Sequence, residues 1–537
     1  MPIPTDGAWP PPAVAPAYQA YRDWDAWYDG SPAKLRRVYS NRDATGRSLP
    51  PSQRVRAGQY AGGILGTFSR WLWGAPPTAG TRDGRLHIPL PSDLAATSAN
   101  LLFSEPPKLD HEDKAVMARL EQLVEDGLAK MLLHAAEANS AFGDVYLRPV
   151  LDEDVYPDRA FLAAVHADGA VPVIRWGKLI EVTFWSTLLV DGDVHVRLLE
   201  HHDVVGRGPE AASRIQYAVH EGTAHALGRT VPLSEHAAAA HLADLVDAEG
   251  AQATGLDRLD VVRIPNAGPQ RQWRTEASLK YLGRSDFDGN EQQFDALDDV
   301  WTGWMRDIRL ARSRIIVPDY MLQSNGPGAG ATFDADREVF VGVNSMQKEG
   351  AGVITAQQFQ IRYEEHKATA DAIVETALRH AGLSAQTLGS DGEVAMTATE
   401  VQARERQSFT TRGNRIEGAW KPGIVDAVEL LLAVEAVKFS ARPEPVKINV
   451  EFGDSVSEAP EVVARTIQLL HAAEAASVDT RVRMAHPDWD DIQVKEEVSR
   501  IKADLSAGAT ADPAITIGGM AGNDPPEDRR GDSGRVA

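Results

Sequence analysis

SDFDGNEQQFDALDDVWTGWMRDIRLARSRII, residues 285–316, decides how this chain is organised. Phe294, Leu297, Trp301, Trp304, Ile308, Ala311 and Ile315 recur at helical spacing and mark one apolar face. Ser285 is a good N-cap, and the carboxylates of Asp286 and Asp288 suit the unpaired N–H groups of a first turn. Charge is sorted along the segment, with Glu291, Asp295, Asp298 and Asp299 early and Arg306, Arg309, Arg312 and Arg314 late, as a helix dipole favours. A second helix is expected over 355–381, with Phe359, Tyr363, Ala370, Ile373, Val374 and Leu378 on one face and Gly382 as its stop. Two long helices around a short β-rich excursion describe a strut rather than a pocket.

The excursion contains Asn325-Gly326-Pro327-Gly328-Ala329-Gly330. Gly-x-Gly can cradle phosphate, but a nucleotide loop follows a buried strand and opens directly onto a helix. Here residues 333–343, with Asp334 and Asp336 at their start, read as a turn and a strand, and no Gly-Lys-Ser/Thr follows. The glycines therefore read as a loop tip.

With 537 residues the chain is expected to hold two to four domains. Its 43% hydrophobic content is ordinary for globular protein, and it has no cysteine, which excludes disulfides and thiolate metal sites. No apolar run is long enough to cross a bilayer, and the N-terminus lacks a basic-then-apolar signal, so synthesis in the cytoplasm and no membrane partner are expected. A net charge of −22 argues against broad adhesion to DNA, which relies on Lys and Arg neutralising phosphates. It does not argue against a protein that DNA passes without sticking.

Along the chain, residues 1–20 are Pro- and Ala-rich and read as irregular, followed by an aromatic stripe of Tyr18, Tyr21, Trp24, Trp27 and Tyr28 suited to core or subunit contact. A helix is expected over 93–103, ending before Pro106-Pro107, and another over 111–140. Short strands at 143–150, 161–166, 171–175, 180–184, 194–200, 214–220 and 261–265 imply an antiparallel sheet packed with helices, an α+β domain. A long helix from Thr397 to Lys438 must be kinked or interrupted by Pro422, which lacks a backbone donor. A strand at 446–452 and two helices, 457–476 and 492–505, close the ordered part, and the Gly/Ala/Pro/Asp-rich stretch from 507 reads as disordered.

No catalytic constellation stands out. His220-Glu221-x-x-x-His225 has one residue too many for a zinc-protease helix and reads as a hairpin turn. His201-His202-Asp203 reads as an exposed polar turn at a strand end, and Asp488, Asp490 and Asp491 as helix-start residues around Trp489. There is no Gly-x-Ser-x-Gly elbow. No enzyme, cofactor or metal site is expected; the competing reading is a metal-dependent cytoplasmic hydrolase built on His220/His225 or on the three aspartates.

Four segments, in order, resemble the portal proteins of long-tailed bacteriophages. They are the run 88–107 (IPLPSDLAATSANLLFSEPP); Gly283-Arg284-Ser285-Asp286-Phe287-Asp288-Gly289 with Asp295-Ala296-Leu297-Asp298-Asp299; Ala398-Thr399-Glu400-Val401-Gln402-Ala403-Arg404-Glu405; and Ser477-x-x-Thr480 followed by Pro487-Asp488 and Glu496-Glu497. The resemblance spans about 85–505.

It implies an α+β, multi-domain portal fold with wing, stem, clip and helical crown, assembling into a ring, usually of twelve subunits, around a central channel. Residues 1–85 would be an N-terminal extension and the start of the wing, 86–284 the α+β wing, 285–316 and 355–381 the stem helices and 317–354 the clip. Residues 382–402 would hold the tunnel loop, 403–454 a long kinked wing helix and strand, 455–506 the crown, and 507–537 a disordered tail. The implied partners are copies of itself, double-stranded DNA passing without sequence specificity, the terminase large subunit, the head-to-tail adaptor, and the major capsid and scaffold proteins, all at the virion's portal vertex. Channel-facing candidates are Arg306, Arg309, Arg312 and Arg314, with Ser390, Asp391 and Glu393 of the tunnel loop, which is acidic where basic residues would suit DNA. Inter-subunit pairing is the favoured role for the arginines, because packed ring helices need complementary charge to fix register. Clip docking would fall to Asn325, Gly326, Gly328, Gly330, Asp334 and Asp336. A scaffold or adaptor of another kind is the remaining alternative.

Overall fold

Aromatic residues open the fold. Helix α1 (Ala15–Asp29) ends at Gly30, whose φ of 66° makes a left-handed cap. Tyr18, Tyr21, Trp24 and Trp27 are buried along one face, so the chain is helical from Ala15 where an irregular segment is expected up to residue 20. Each buried ring removes a large apolar area from water, enough to offset the ordering of a short helix. The computed structural model describes residues 3–4, 7–40, 85–310, 314–316, 323–324, 331–332, 355–357, 361–384, 398–439, 447–453, 460–486, 489 and 491–509. They fall into two units, Met1–Gly453 and Asp454–Ala537.

In the first unit, α2 (Pro32–Ser40) and α3 (Leu90–Phe103) precede a short strand β1 (Lys108–Asp110). The helix expected over 111–140 is two helices, α4 (Lys114–Glu125) and α5 (Leu128–Phe142), because Gly127 between them adopts a φ of 100°. Asp113 caps α4 by accepting from the Ala115 amide at 2.7 Å. Strands β2 (Asp144–Val150), β3 (Phe161–His166) and β10 (Val262–Pro265) form an antiparallel sheet in the order β10-β2-β3. Strands β4 (Ala170–Arg175), β5 (Lys178–Asp191), β6 (Val194–Val205), β7 (Ala212–Thr223) and β8 (Ala226–Val231) pair successively in a second, antiparallel sheet, with β9 (Ala251–Ala253) added beside β7.

The strut is shorter at both ends than its sequence period implies. Helix α6 covers Glu291–Leu310, preceded by a turn in which Ser285 Oγ accepts from the Phe287 amide at 2.9 Å and Gly289 has a φ of 87°. Ser285 thus caps a local turn, not the helix. After α6 the chain forms β11 (Arg314–Ile316), which pairs antiparallel with β14 (Thr355–Gln357). Between them β12 (Gln323–Ser324) pairs antiparallel with β13 (Ala331–Thr332). Helix α7 (Tyr363–Ala381) returns and is capped by Gly382. The ends assigned to helix at 311–316 and 355–362 therefore include strand, where Ile315 and Ile316 favour a pleated surface.

The long helix is interrupted near Pro422 as expected. Helix α8 (Ala398–Arg415) passes through one π turn (Ile416–Trp420) into α9 (Lys421–Phe439), and the widened turn absorbs the missing proline donor. Trp420 is fully buried and meets Phe103 edge-on at 4.9 Å. A buried ion pair, Arg119 Nη2 to Glu435 Oε1 at 2.8 Å, ties α9 to α4. Strand β15 (Asn449–Glu451) then pairs with β1. The core has two main parts. In one, α1, α3, α6 and α7 meet; in the other, α4 and α5 pack with β2, the π turn and α9.

The second unit contains α10 (Pro460–Ala472), α11 (Val478–Ala485) and α12 (Asp491–Ala509), with Ser477 capping α11 through the Thr480 amide at 3.2 Å. Helix α12 extends past 507, where a disordered tail is expected to start. Among the described residues, no helix is long and apolar enough to cross a membrane.

Candidate functional site

Helices α6 and α7 run antiparallel. At one end Asn290 Nδ2 donates to the Ala377 carbonyl at 3.2 Å; at the other Asp307 Oδ2 accepts from Arg362 Nη2 at 3.1 Å and faces His366 Nε2 at 3.0 Å. Trp304 stacks on His366, 6.0 Å between centroids, and meets Tyr363 edge-on at 5.4 Å. Phe294 and Leu297 are buried with Ala377 and Leu378, whereas Trp301 and Trp304 are half-buried. The first part of the apolar stripe read from sequence, Phe294 to Trp304, thus lies toward α7, whereas Ile308 is exposed and Ile315 belongs to β11. Arg362 and His366 also hold the Asp307 carboxyl below the usual range, the His366 contact contributing most.

The acidic half of α6 is an anchor. Asp298 is fully buried; it accepts from the Ile88 amide at 2.8 Å and the Tyr39 hydroxyl at 2.5 Å, and faces His87 Nδ1 at 2.9 Å. Asp295 and Asp299 both pair with Arg85, the latter at 3.0 Å, and Glu291 accepts from Trp24 Nε1 at 2.9 Å. These acids bind the extended segment 85–88 and α1, a role that charge sorting along one helix does not reveal.

Just before α6 lies a buried polar centre. Asp286 Oδ1 accepts from Arg415 Nη2 at 2.6 Å and Asn266 Nδ2 at 3.0 Å; Oδ2 accepts from Ser140 Oγ at 2.6 Å and Ser98 Oγ at 3.1 Å. One carboxylate so placed joins α3, α5, the segment after β10, the strut and α8. Beside it, burial and the nearby Glu291 push the Asp288 carboxyl up to about 6, partly countered by Arg284 and Arg271. Asp288 Oδ2 is buried without a hydrogen-bond partner.

Of the channel candidates, Arg306 is exposed on α6 and Arg309 lies in its last turn, but Arg314 is in β11, off the helix. Arg312, Ser390, Asp391 and Glu393 lie outside the described residues, as do Asn325, Gly326, Gly328, Gly330, Asp334 and Asp336. His220 is buried inside β7 and His225 occupies the β7–β8 turn, so the pair does not share a helix face. Asp488 and Asp490 are outside the described residues, and Asp491 starts α12.

His201-His202-Asp203 is not an exposed turn: β6 continues through it, and both histidines are buried. His202 faces Asp260 at 2.9 Å and Glu200 at 3.1 Å on one side of the sheet. His201 and Asp203 lie on the other. His201 Nδ1 meets Thr183 on β5, Asp203 meets Arg214 on β7, and His202 meets Asp260 just before β10, contacts that offset burial where sequence alone implies solvent.

The described residues form a mixed α+β fold in which α6 and α7 pair antiparallel around short paired strands. A family model, phage portal protein of the SPP1 Gp6-like type, matches residues 77–510, and the chain belongs to that family. The family is structural, and membership supports a portal or head–tail connector role. Solved structures similar to the chain include the neck of a native GTA particle computed with C12 symmetry, at 12% identity and a TM-score of 0.37, covering 74% of this chain and 89% of that one. The neck of an empty GTA particle computed with C6 symmetry matches at 12% identity and a TM-score of 0.38, covering 79% and 99%. No curated protein matches the chain significantly.

Proposed function

We propose that the chain is the portal subunit of a phage, twelve copies forming a ring at one capsid vertex through which DNA is packaged by terminase and later leaves. Family membership over 77–510 carries this reading, supported by the antiparallel pair α6–α7 around the β-paired module. On it, α6 and α7 form the stem and 317–354 the clip that meets terminase and then the adaptor. Residues 86–284 with 403–454 form the wing, 382–402 the tunnel loop and 455–506 the crown, and capsid and scaffold proteins surround the ring. A chain of net charge −22, repeated around a bore, repels the phosphate backbone, so DNA slides through hydrated space rather than binding phosphate by phosphate. Exposed Arg306 pairs with a neighbouring subunit's stem, limiting that repulsion and fixing register. Mass photometry and negative-stain images of purified protein test the reading: rings near twelve subunits support it, and a monomer under all assembly conditions refutes it.

A further inference from the structure

One face of the second sheet carries a donor set that the portal role does not use. Thr183 stands directly opposite His201 across the β5–β6 pair, Glu181 lies two residues before Thr183 on β5, and Asp203 two residues after His201 on β6. Directly paired residues share a face, as do residues two apart on one strand, so all four side chains emerge together. His201 Nε2 lies 3.9 Å from both Glu181 Oε2 and Asp203 Oδ2, too far for a hydrogen bond to either. The His201 side chain is only 4% exposed, and Nε2 has no hydrogen-bond partner. Its other nitrogen, Nδ1, is 2.9 Å from Thr183 Oγ1. With Nδ1–H donating to that hydroxyl, Nε2 presents a lone pair between two carboxylates.

We propose that Glu181, His201 and Asp203 bind a divalent transition-metal cation of the zinc class and so clamp β5 to β6. The three ligand atoms all lie within 4.8 Å of one another. Zinc bonds of about 2.0–2.2 Å to imidazole and carboxylate need His201 Nε2 closer to each carboxylate oxygen by roughly half an ångström, and the two carboxylates drawn together around the ion by rotation of the Glu181 side chain. An imidazole oriented through its second nitrogen is the usual arrangement of a metal-bound histidine. Asp203 also takes a two-pronged contact from Arg214, Nε to Oδ1 at 2.8 Å and Nη2 to Oδ2 at 3.0 Å. The cation takes Oδ2 and leaves Oδ1 to the guanidinium. Gln216, directly opposite His201 on β7, has a buried Oε1 without a partner and supplies a further neutral oxygen on that face. Two carboxylates and one imidazole favour zinc or manganese over the all-oxygen sites of calcium and magnesium.

The test uses the full chain, stripped with EDTA, desalted and titrated with Zn²⁺ by calorimetry, with Co²⁺ absorption as a second readout. The expected result is one Zn²⁺ per chain at this site, lost in His201→Ala, with an unaltered isotherm in His225→Ala. Thr183→Val, which frees the imidazole, weakens binding by on the order of ten-fold. Should His201→Ala fail to fold, Glu181→Gln, at a partly exposed position, gives the same reading through lost affinity and a lost Zn²⁺-dependent rise in Tm. Absence of binding to the unaltered chain, or binding undiminished in the folded His201 and Glu181 variants, overturns the proposal.

Discussion

Arg415 Nη2 reaches Asp286 Oδ1 at 2.6 Å across 129 residues of sequence, and both side chains are buried. The pair fastens the last turn of α8 to the turn that launches α6, and Ser98, Ser140 and Asn266 complete the carboxylate's hydrogen bonds. Removing one member leaves the other charge buried and unpaired. Arg415→Met is expected to cost about 3–5 kcal/mol in urea unfolding of the isolated chain. The double variant with Asp286→Asn should cost less than the two single variants together, because the second removes the stranded charge. Strict additivity would mean that the two residues act independently.

Asp288 gives the stability a pH dependence of defined sign. Its carboxyl titrates at about 6 in the folded chain, against about 3.9 when unfolded, so the folded state holds an extra proton between those values. This contribution is complete below the unfolded pKa and is lost as pH rises through 6. Asp288→Asn should raise stability by about 1–2 kcal/mol at pH 7.5 and by almost nothing at pH 4. Chemical denaturation at the two pH values is the check; an equal effect at both would remove the titration from the explanation.

Gly283 and Gly143 let two backbones touch. A Cβ on Gly283 would stand 1.9 Å from the Gly143 carbonyl oxygen and 2.9 Å from Asp144 Oδ1. Gly283→Ala must therefore push the strut's launching turn off α5 and strain the Gly283 amide bond to Asp144 Oδ2, now 2.8 Å. A loss of several kcal/mol, on the scale of other backbone clashes, is expected in thermal unfolding. Gly413→Ala, where a Cβ meets nothing within 4 Å, should change little.

Deleting 325–330 and joining β12 to β13 by a two-residue turn should leave the remaining fold and ring assembly intact while abolishing terminase or adaptor capture. Pull-down with each purified partner and ring imaging on the same sample separate the outcomes. Loss of rings would place the loop inside the assembly.

The helix–module–helix plan was legible because Phe294, Leu297, Trp301 and Trp304 repeat at helical spacing and that stripe is the α6–α7 seam. Its limits were not. Ser285 makes a cap-like bond that belongs to a turn, and Ile315-Ile316 fits helix and strand equally until the pairing with 355–357 is known. The burial of Asp298, Asp286, His201 and His202 was hidden for a related reason: their partners come from distant elements, such as Ile88, Arg415, Thr183 and Asp260. Local sequence registers a charged or polar side chain but not the group that neutralises it.

Whether the chain forms a portal ring is read by mass photometry of the purified full chain at assembly concentration. A dodecameric portal gives a dominant species near twelve times the subunit mass of 58.2 kDa, seen as rings with an open centre in negative stain. A single peak at the subunit mass across salt and protein concentrations would contradict it.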